Sequence, residues 1–306
     1  MALLSRISGQ IDDRSARLAG IALMLLGVGL FSLGDAVGKM IVASYALGQL
    51  LLLRSITSLT LMLPFIWRER ETFRNLQRPG LHAMRVALST IEVAAFFLAV
   101  TYLPLADVIT YYLATPIFVT ALSAVFLKEH VGWRRWSAVA VGFAGVLIAL
   151  QPSSDTLSWP ALIALGGSFS FAVLMVVTRS LRGASDVVLA SSQFCGTLLF
   201  GLVLAPFGWV SPSWSGLSLF ILAGFISVGA LLSVNRSLKL APASVVVPYQ
   251  YTMIIWAVLF GYLVFGDVPE LSTLIGAAII IAAGFYIFLR EQKLGRPSEG
   301  VNPPPA

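Results

Sequence analysis

Ten apolar stretches of roughly helix-spanning length follow one another with only short polar breaks. They fall near 18–38, 46–66, 81–101, 104–127, 134–151, 158–178, 186–206, 214–234, 242–265 and 271–289. A helix that crosses the hydrocarbon core of a bilayer needs roughly 20 apolar residues. Ten of them consume most of the 306-residue chain and leave room for connections and two tails, with no separate soluble domain. The runs lack the period-2 alternation of a membrane β-barrel. The chain is therefore expected to be an all-α polytopic membrane protein with ten transmembrane helices.

Composition points the same way. Hydrophobic residues make up 58% of the chain and charged ones 11%, against about 25% charged in soluble domains. The net charge of +6 could serve a nucleic-acid partner, but the cations sit where they would orient a membrane protein. They cluster at Arg6/Arg14/Arg17, Arg68/Arg70/Arg74/Arg78/Arg85, Lys128/Arg134/Arg135, Arg179/Arg182, Arg236/Lys239 and Arg290/Lys293/Arg296. Those positions hold 18 of the 20 cations, all in alternate connections; Lys39 and Arg54 are the exceptions. This is the positive-inside pattern. It puts both termini in the cytoplasm, requires an even number of spans and implies a bacterial inner membrane. The partner classes expected are lipid and a small-molecule solute, with no nucleic acid, and a monomer is expected to suffice. The first apolar run is too long for a cleaved leader, and the proline-rich end after Val301 is expected to be disordered. Cys195, the single cysteine, leaves no intrachain disulfide and no multi-cysteine metal site, and no cofactor is expected.

The second half echoes the first. Leu103-Pro104-Leu105-Ala106-Asp107-Val108, Tyr111-Tyr112 and Phe126-Leu127-Lys128-Glu129 are matched by Leu240-Ala241-Pro242-Ala243-Ser244-Val245, Tyr249-Gln250-Tyr251 and Val264-Phe265-Gly266-Asp267. Self-similarity at a long, fixed offset marks a duplicated unit. The chain divides into a tail (1–17), a first five-helix repeat (18–151), a second (158–289) and a second tail (290–306). Five is odd, so the second unit enters from the opposite face and the repeats are inverted. Secondary transporters use this architecture for alternating access, with the solute site near the midplane.

These stretches, Leu103 to Leu150 and its copy from Ala241 to Phe288, resemble the EamA-type branch of the drug/metabolite transporter superfamily. Within it the chain looks most like the aromatic amino acid exporters of the YddG type. The resemblance implies a carrier that exports amino acids, aromatic or of broad range. The copies are unequal: the position of Pro116 is taken by Met253, with Pro248 a turn earlier, and Asp267 stands where the family usually has glutamate.

Ionisable groups are costly in lipid and mark functional sites by default. Arg54 and Glu92 fall at similar depths in the second and third spans and are expected to pair, either for packing or for coupling. Asp35 and Lys39 stand one turn apart near the outer end of the first span, where anchoring competes with a coupling role; Asp107 is expected to cap the fourth span. Tyr111 and Tyr112 in span four, and Tyr249, Gln250 and Tyr251 in span nine, are the substrate-binding candidates. Each group neighbours a helix-interrupting proline, Pro116 or Pro248. Matched interruptions in two halves point to a transporter site, and aromatic hydroxyls suit an amphipathic solute. Phe96, Phe97, Tyr102, Gln193, Asn235 and Trp256 complete the expected wall.

Other classes fare worse. Gly34-Asp35-Ala36-Val37-Gly38-Lys39 has one residue too few between its glycines for a phosphate loop and lies within a span. His82 and His130 match no intramembrane catalytic motif, so an enzyme is not expected. Asn235-Arg236-Ser237 is a sequon at an expected cytoplasmic end, the wrong side for glycosylation. A multidrug or nucleotide-sugar carrier of the same superfamily is the main alternative; the sugar reading is weakened by Arg54 being the sole cation expected deep in a span. Proton coupling and facilitated flux both remain open.

Overall fold

The computed structural model describes residues 2–103, 105–128, 132–150 and 159–265, with single turns of helix between 271 and 286, and side chains from Ser15 onward. In chain order the helices are α1 (Ala2–Val42), α2 (Leu47–Arg68), α3 (Arg70–Arg74), α4 (Pro79–Tyr102), α5 (Leu105–Tyr112), α6 (Thr115–Phe126) and α7 (Trp133–Leu150). There follow α8 (Trp159–Ser180), α9 (Asp186–Leu204), α10 (Trp214–Leu240), α11 (Ala243–Val246), a 3-10 segment (Val247–Thr252), α12 (Met253–Phe260) and a π turn (Gly261–Phe265). No strand occurs among the described residues. Six helices are long and apolar enough to cross a membrane: α1 from Ser15, α2, α4, α8, α9 and α10. The sequence expected ten. The fourth and ninth runs are helices in pieces, the fifth is α7, and most of the tenth lies outside the described residues, as do the side chain of Asp107, Glu129, His130, Asp267 and the tail from 290.

Local chemistry sets where these helices begin and stop. Ser185 and Ser213 cap α9 and α10, accepting from Val187 N at 3.1 Å and Gly216 N at 3.1 Å. Pro79 opens α4, where its missing N–H costs nothing. Leu103 (φ −120°, ψ 151°) and Ala241 (φ −138°, ψ 156°) both leave the helix for extended backbone. Each precedes a proline, whose ring disfavours the helical conformation at the residue before it. The two copies thus stop their third long helix by the same device.

Six helices pair across the halves. The most extensive packing joins α1 to α10, α2 to α9 and α4 to α8. The first, second and third helices of the early set therefore meet the third, second and first of the later set. Small residues allow the approach. A Cβ on Gly201 would stand 2.5 Å from Leu52 N, and one on Gly48 would stand 2.5 Å from the carbonyl carbon of Leu204, so α2 and α9 touch backbone to backbone. Hydroxyls bridge the same seams, Ser55 Oγ to Thr197 Oγ1 at 2.8 Å, Ser170 Oγ to Leu88 O at 3.1 Å and Ser237 Oγ to Gly20 O at 2.6 Å, and Ser58 Oγ to Gly224 O at 3.1 Å joins α2 to α10. The outer surface is apolar, with Leu63, Leu199, Val203 and Phe207 largely exposed, which suits contact with lipid rather than water.

Polar contacts tie neighbouring elements together at both ends of the bundle. At one end Asp186 receives Lys239 at 2.7 Å and Arg236 at 3.4 Å, and Ser185 donates to Glu69. At the other end Gln49 holds Val210 by two hydrogen bonds, Nε2 to O at 2.7 Å and Val210 N to Oε1 at 3.2 Å.

Candidate functional site

Between these ends lies a cavity enclosing about 1040 Å³ of space free of protein atoms, part of it open to the outside. Its walls come from α1 (Phe31, Asp35), α2 (Arg54), α4 (Arg85, Glu92, Phe96, Phe97), α5 (Tyr112), α8 (Phe171, Met175, Thr178), α9 (Gln193, Phe194), α10 (Asn235) and the broken ninth run (Gln250, Met253). Both halves contribute. The lining is mostly apolar with a few convergent polar groups, the usual character of a small-molecule site.

The two helix breaks frame it. In the fourth run the chain turns at Leu113 and Ala114 before α6 resumes with Pro116 in its first turn. In the ninth, Pro248 supplies no N–H to the turn before it, and Val247–Thr252 tightens into a 3-10 segment. Irregular backbone at membrane depth is tolerated where protein buries it or a cavity adjoins it. Tyr112, just before the first break, lines the cavity. Its hydroxyl donates to the Glu92 carbonyl at 3.0 Å, and its ring meets Phe96 edge-on at 5.1 Å between centroids. Gly167 makes room for that hydroxyl; a Cβ there would lie 2.2 Å from it.

Asp35, Arg54 and Glu92 all face the cavity and interact electrostatically. The pair expected from sequence is a trio: Arg54 is coupled to Asp35 and to Glu92, and no direct ion pair forms among these described residues. The Arg54 guanidinium lies 5.5 Å from the Phe97 ring centroid, and its Nε is buried without a hydrogen-bond partner. Two carboxyl groups and one guanidinium thus share a largely apolar chamber, and among the described residues no hydrogen bond reaches the Asp35 or Glu92 side chain.

Of the other expected residues, Phe96, Phe97, Gln193, Asn235 and Gln250 line the cavity. Gln250 Nε2 reaches Met175 Sδ at 3.5 Å, while its Oε1 is buried and unpartnered. Tyr111, Tyr249, Tyr251 and Trp256 stand outside the lining. Tyr111 packs with the cluster around Phe96 and Phe220, and Tyr249 with Val245, Val246 and Val247. Tyr251 donates to Val139 O at 3.1 Å, and its ring covers Gly142. Trp256 lies over Gly29 and stacks on Phe260. Tyr102 is turned outward, against Trp159.

Arg85, which the charge pattern places among the loop cations, joins Arg54 as a second deep cation. It is 1% exposed, two turns into α4, and lines the cavity. Its Nε donates to Thr178 Oγ1 at 2.8 Å, Nη1 to Leu189 O at 2.7 Å and Nη2 to Asn235 Oδ1 at 3.0 Å. The clue was in the sequence: α4 starts at Pro79, so Arg85 lies about 9 Å along the helix at 1.5 Å per residue. A boundary drawn from hydropathy alone hid that depth.

The EamA-like transporter family model matches the chain twice, over residues 18–151 and 158–289. The S-adenosylmethionine uptake transporter of Rickettsia felis is 25% identical over 285 residues, covering 92% of this chain and 96% of that protein. Riboflavin transporters of Vibrio cholerae and Rhizobium johnstonii are 31% and 30% identical, over 74% and 76% of this chain and 77% and 78% of theirs. A protein of known crystal structure shares the fold with a TM-score of 0.74 at 16% identity, over 92% of this chain and 98% of that one. None of these named relatives is an aromatic amino acid exporter, so the finer resemblance read from sequence is replaced. With both halves matched and a two-sided cavity between them, the chain belongs to the EamA-like transporter family.

Proposed function

We propose that the protein is a secondary carrier for a metabolite that joins a flat heteroaromatic ring to a charged, amino-acid-like end, the chemical class of S-adenosylmethionine. The observation that carries this reading is the composition of one cavity. Phe31, Phe96, Phe97, Phe171 and Tyr112 offer ring faces, while Asp35, Glu92, Arg54 and Arg85 offer charges of both signs. Aromatic walls receive a planar ring, and unquenched carboxylates receive an ammonium or sulfonium centre. The Rickettsia relative, similar over nearly the whole chain, carries the same chemistry in its name. In this reading the broken fourth and ninth runs, α7 and the tenth run complete ten spans. The halves are inverted about the cavity, both termini face the cytoplasm of a bacterial inner membrane, and one chain is enough for transport. The two-way pairing of α1–α10, α2–α9 and α4–α8 is what a two-fold axis between inverted halves would produce. Amino acid export, the substrate expectation from sequence, gains no support from the relatives.

A second reading has its own observation. The amides of Gln193, Asn235 and Gln250 each present a buried atom without a partner, a set that suits the hydroxylated chain of riboflavin. Counterflow into proteoliposomes preloaded with S-adenosylmethionine or with riboflavin separates the two. Exchange of labelled S-adenosylmethionine is expected. Exchange of riboflavin alone would replace the first reading by the second, and exchange of neither would remove both.

A further inference from the structure

We infer that Arg85 is the anchor for a carboxylate on the transported solute, held by a fork of free N–H groups at the end of the cavity away from Asp35 and Glu92. The inference rests on the proposed S-adenosylmethionine-like solute and adds what fixes its orientation.

A guanidinium carries five N–H donors. In Arg85 three are used, by Thr178, Leu189 and Asn235 from three different helices. That leaves one N–H on each terminal nitrogen, and a guanidinium with N–H groups to spare is a charge-assisted donor to a carboxylate. The three bonds fix the plane of the guanidinium before any ligand arrives. Every protein acceptor in the set is neutral: a hydroxyl, a backbone carbonyl and a side-chain amide. A cation this deeply buried, with no carboxylate bonded to it among the described residues, is expensive to keep. A solute carboxylate would supply the countercharge that its three neutral partners do not.

A second observation points into the same place. Asn235 gives its Oδ1 to Arg85, which turns its Nδ2 the other way; that nitrogen is buried and unpartnered, on a residue 1% exposed that lines the cavity. An amide donor beside a guanidinium with N–H groups to spare has the polarity to receive a carboxylate rather than an ammonium. The opposite polarity lies along the same helix. Glu92 is seven residues after Arg85, two turns and about 10 Å up α4 on the same face, and Asp35 joins it there. A solute with a carboxylate at one end and a cationic centre a few bonds away fits between them in one orientation only.

The test compares S-adenosylmethionine with its decarboxylated analogue, as competitors of transport and in thermal shift of the purified full-length protein. The wild type should bind the decarboxylated compound at least about tenfold more weakly, the worth of a charge-assisted hydrogen bond. Arg85→Gln should bring the two ligands to within about twofold of each other. Asn235→Asp provides a folded control, because it hands Arg85 a carboxylate from the protein; it should erase the preference without lowering the melting temperature. Equal affinity in the wild type, or a preference that survives in both variants, would sink the anchor while leaving S-adenosylmethionine transport intact. If the wild type binds neither compound but does bind riboflavin, the solute reading fails, and the anchor with it.

Discussion

At the residue scale, the cavity's charges differ in what surrounds them. Arg54 separates two carboxylates and sits against an aromatic ring. Removing it leaves Asp35 and Glu92 facing each other in a poorly hydrated chamber. Arg54→Gln, which takes away the cation near two buried carboxyls, is therefore expected to lower the melting temperature in detergent. Restoration by a second change, Asp35→Asn, would tie that loss to charge; no restoration would assign it to packing. Tyr112 acts on a smaller scale. Tyr112→Phe loses one hydrogen bond, about 1 kcal/mol, and Gly167→Ala should cost more, about 1–3 kcal/mol, because the new methyl occupies the hydroxyl's position. Tyr112, Glu92 and Arg54 stood out in the sequence because polar groups in apolar runs are conspicuous. Arg85 did not, since a cation near a run's edge reads as a loop residue until the helix start is fixed by Pro79.

Elements were legible to the degree that hydropathy controls them. The long helices α1, α2, α4, α8, α9 and α10 coincide with apolar runs, and the proline breaks in the fourth and ninth runs lie where Pro116 and Pro248 stand. Which face of a broken helix turns inward was not legible. Around the 3-10 segment side chains do not follow a 100° step, so Gln250 reaches the cavity while Tyr249 and Tyr251, its neighbours, are carried into packing on either side. Helix contact has its own signature in α2 and α9. Gly201→Ala would drive a methyl against the Leu52 backbone, which cannot rotate away as a side chain can. A loss of about 1–3 kcal/mol is expected, with transport falling as the seam widens. Gly166→Ala, where a Cβ meets nothing within 4 Å, should leave stability unchanged; equal effects of the two would mean that α2 and α9 are not in close contact.

At the scale of the whole molecule, the proposed inversion of the halves makes a topological prediction. Single cysteines placed at Ser185 and at Ser213, in a Cys195→Ala background, flank α9 and should label from opposite sides of the membrane. Placed at Arg78 and Ser185, they should label from the same side, the cytoplasmic one. Labelling of Arg78 and Ser213, which follow the second long helix of each half, from one face would break the mirrored arrangement. The repeat itself was readable because its proline junctions and tyrosine clusters recur in order, whereas the partner of each helix was not, since local sequence carries no record of contacts 82 to 217 residues apart. That distance has a consequence for how the chain is made. When synthesis has reached residue 158, Asp35, Arg54, Arg85 and Glu92 are already in place, but Thr178, Gln193 and Asn235 have yet to be joined to the chain. A ribosome therefore delivers the charged wall of the chamber first and the uncharged one last, and a protein truncated between the repeats is left with a charged flank that nothing of its own can cover.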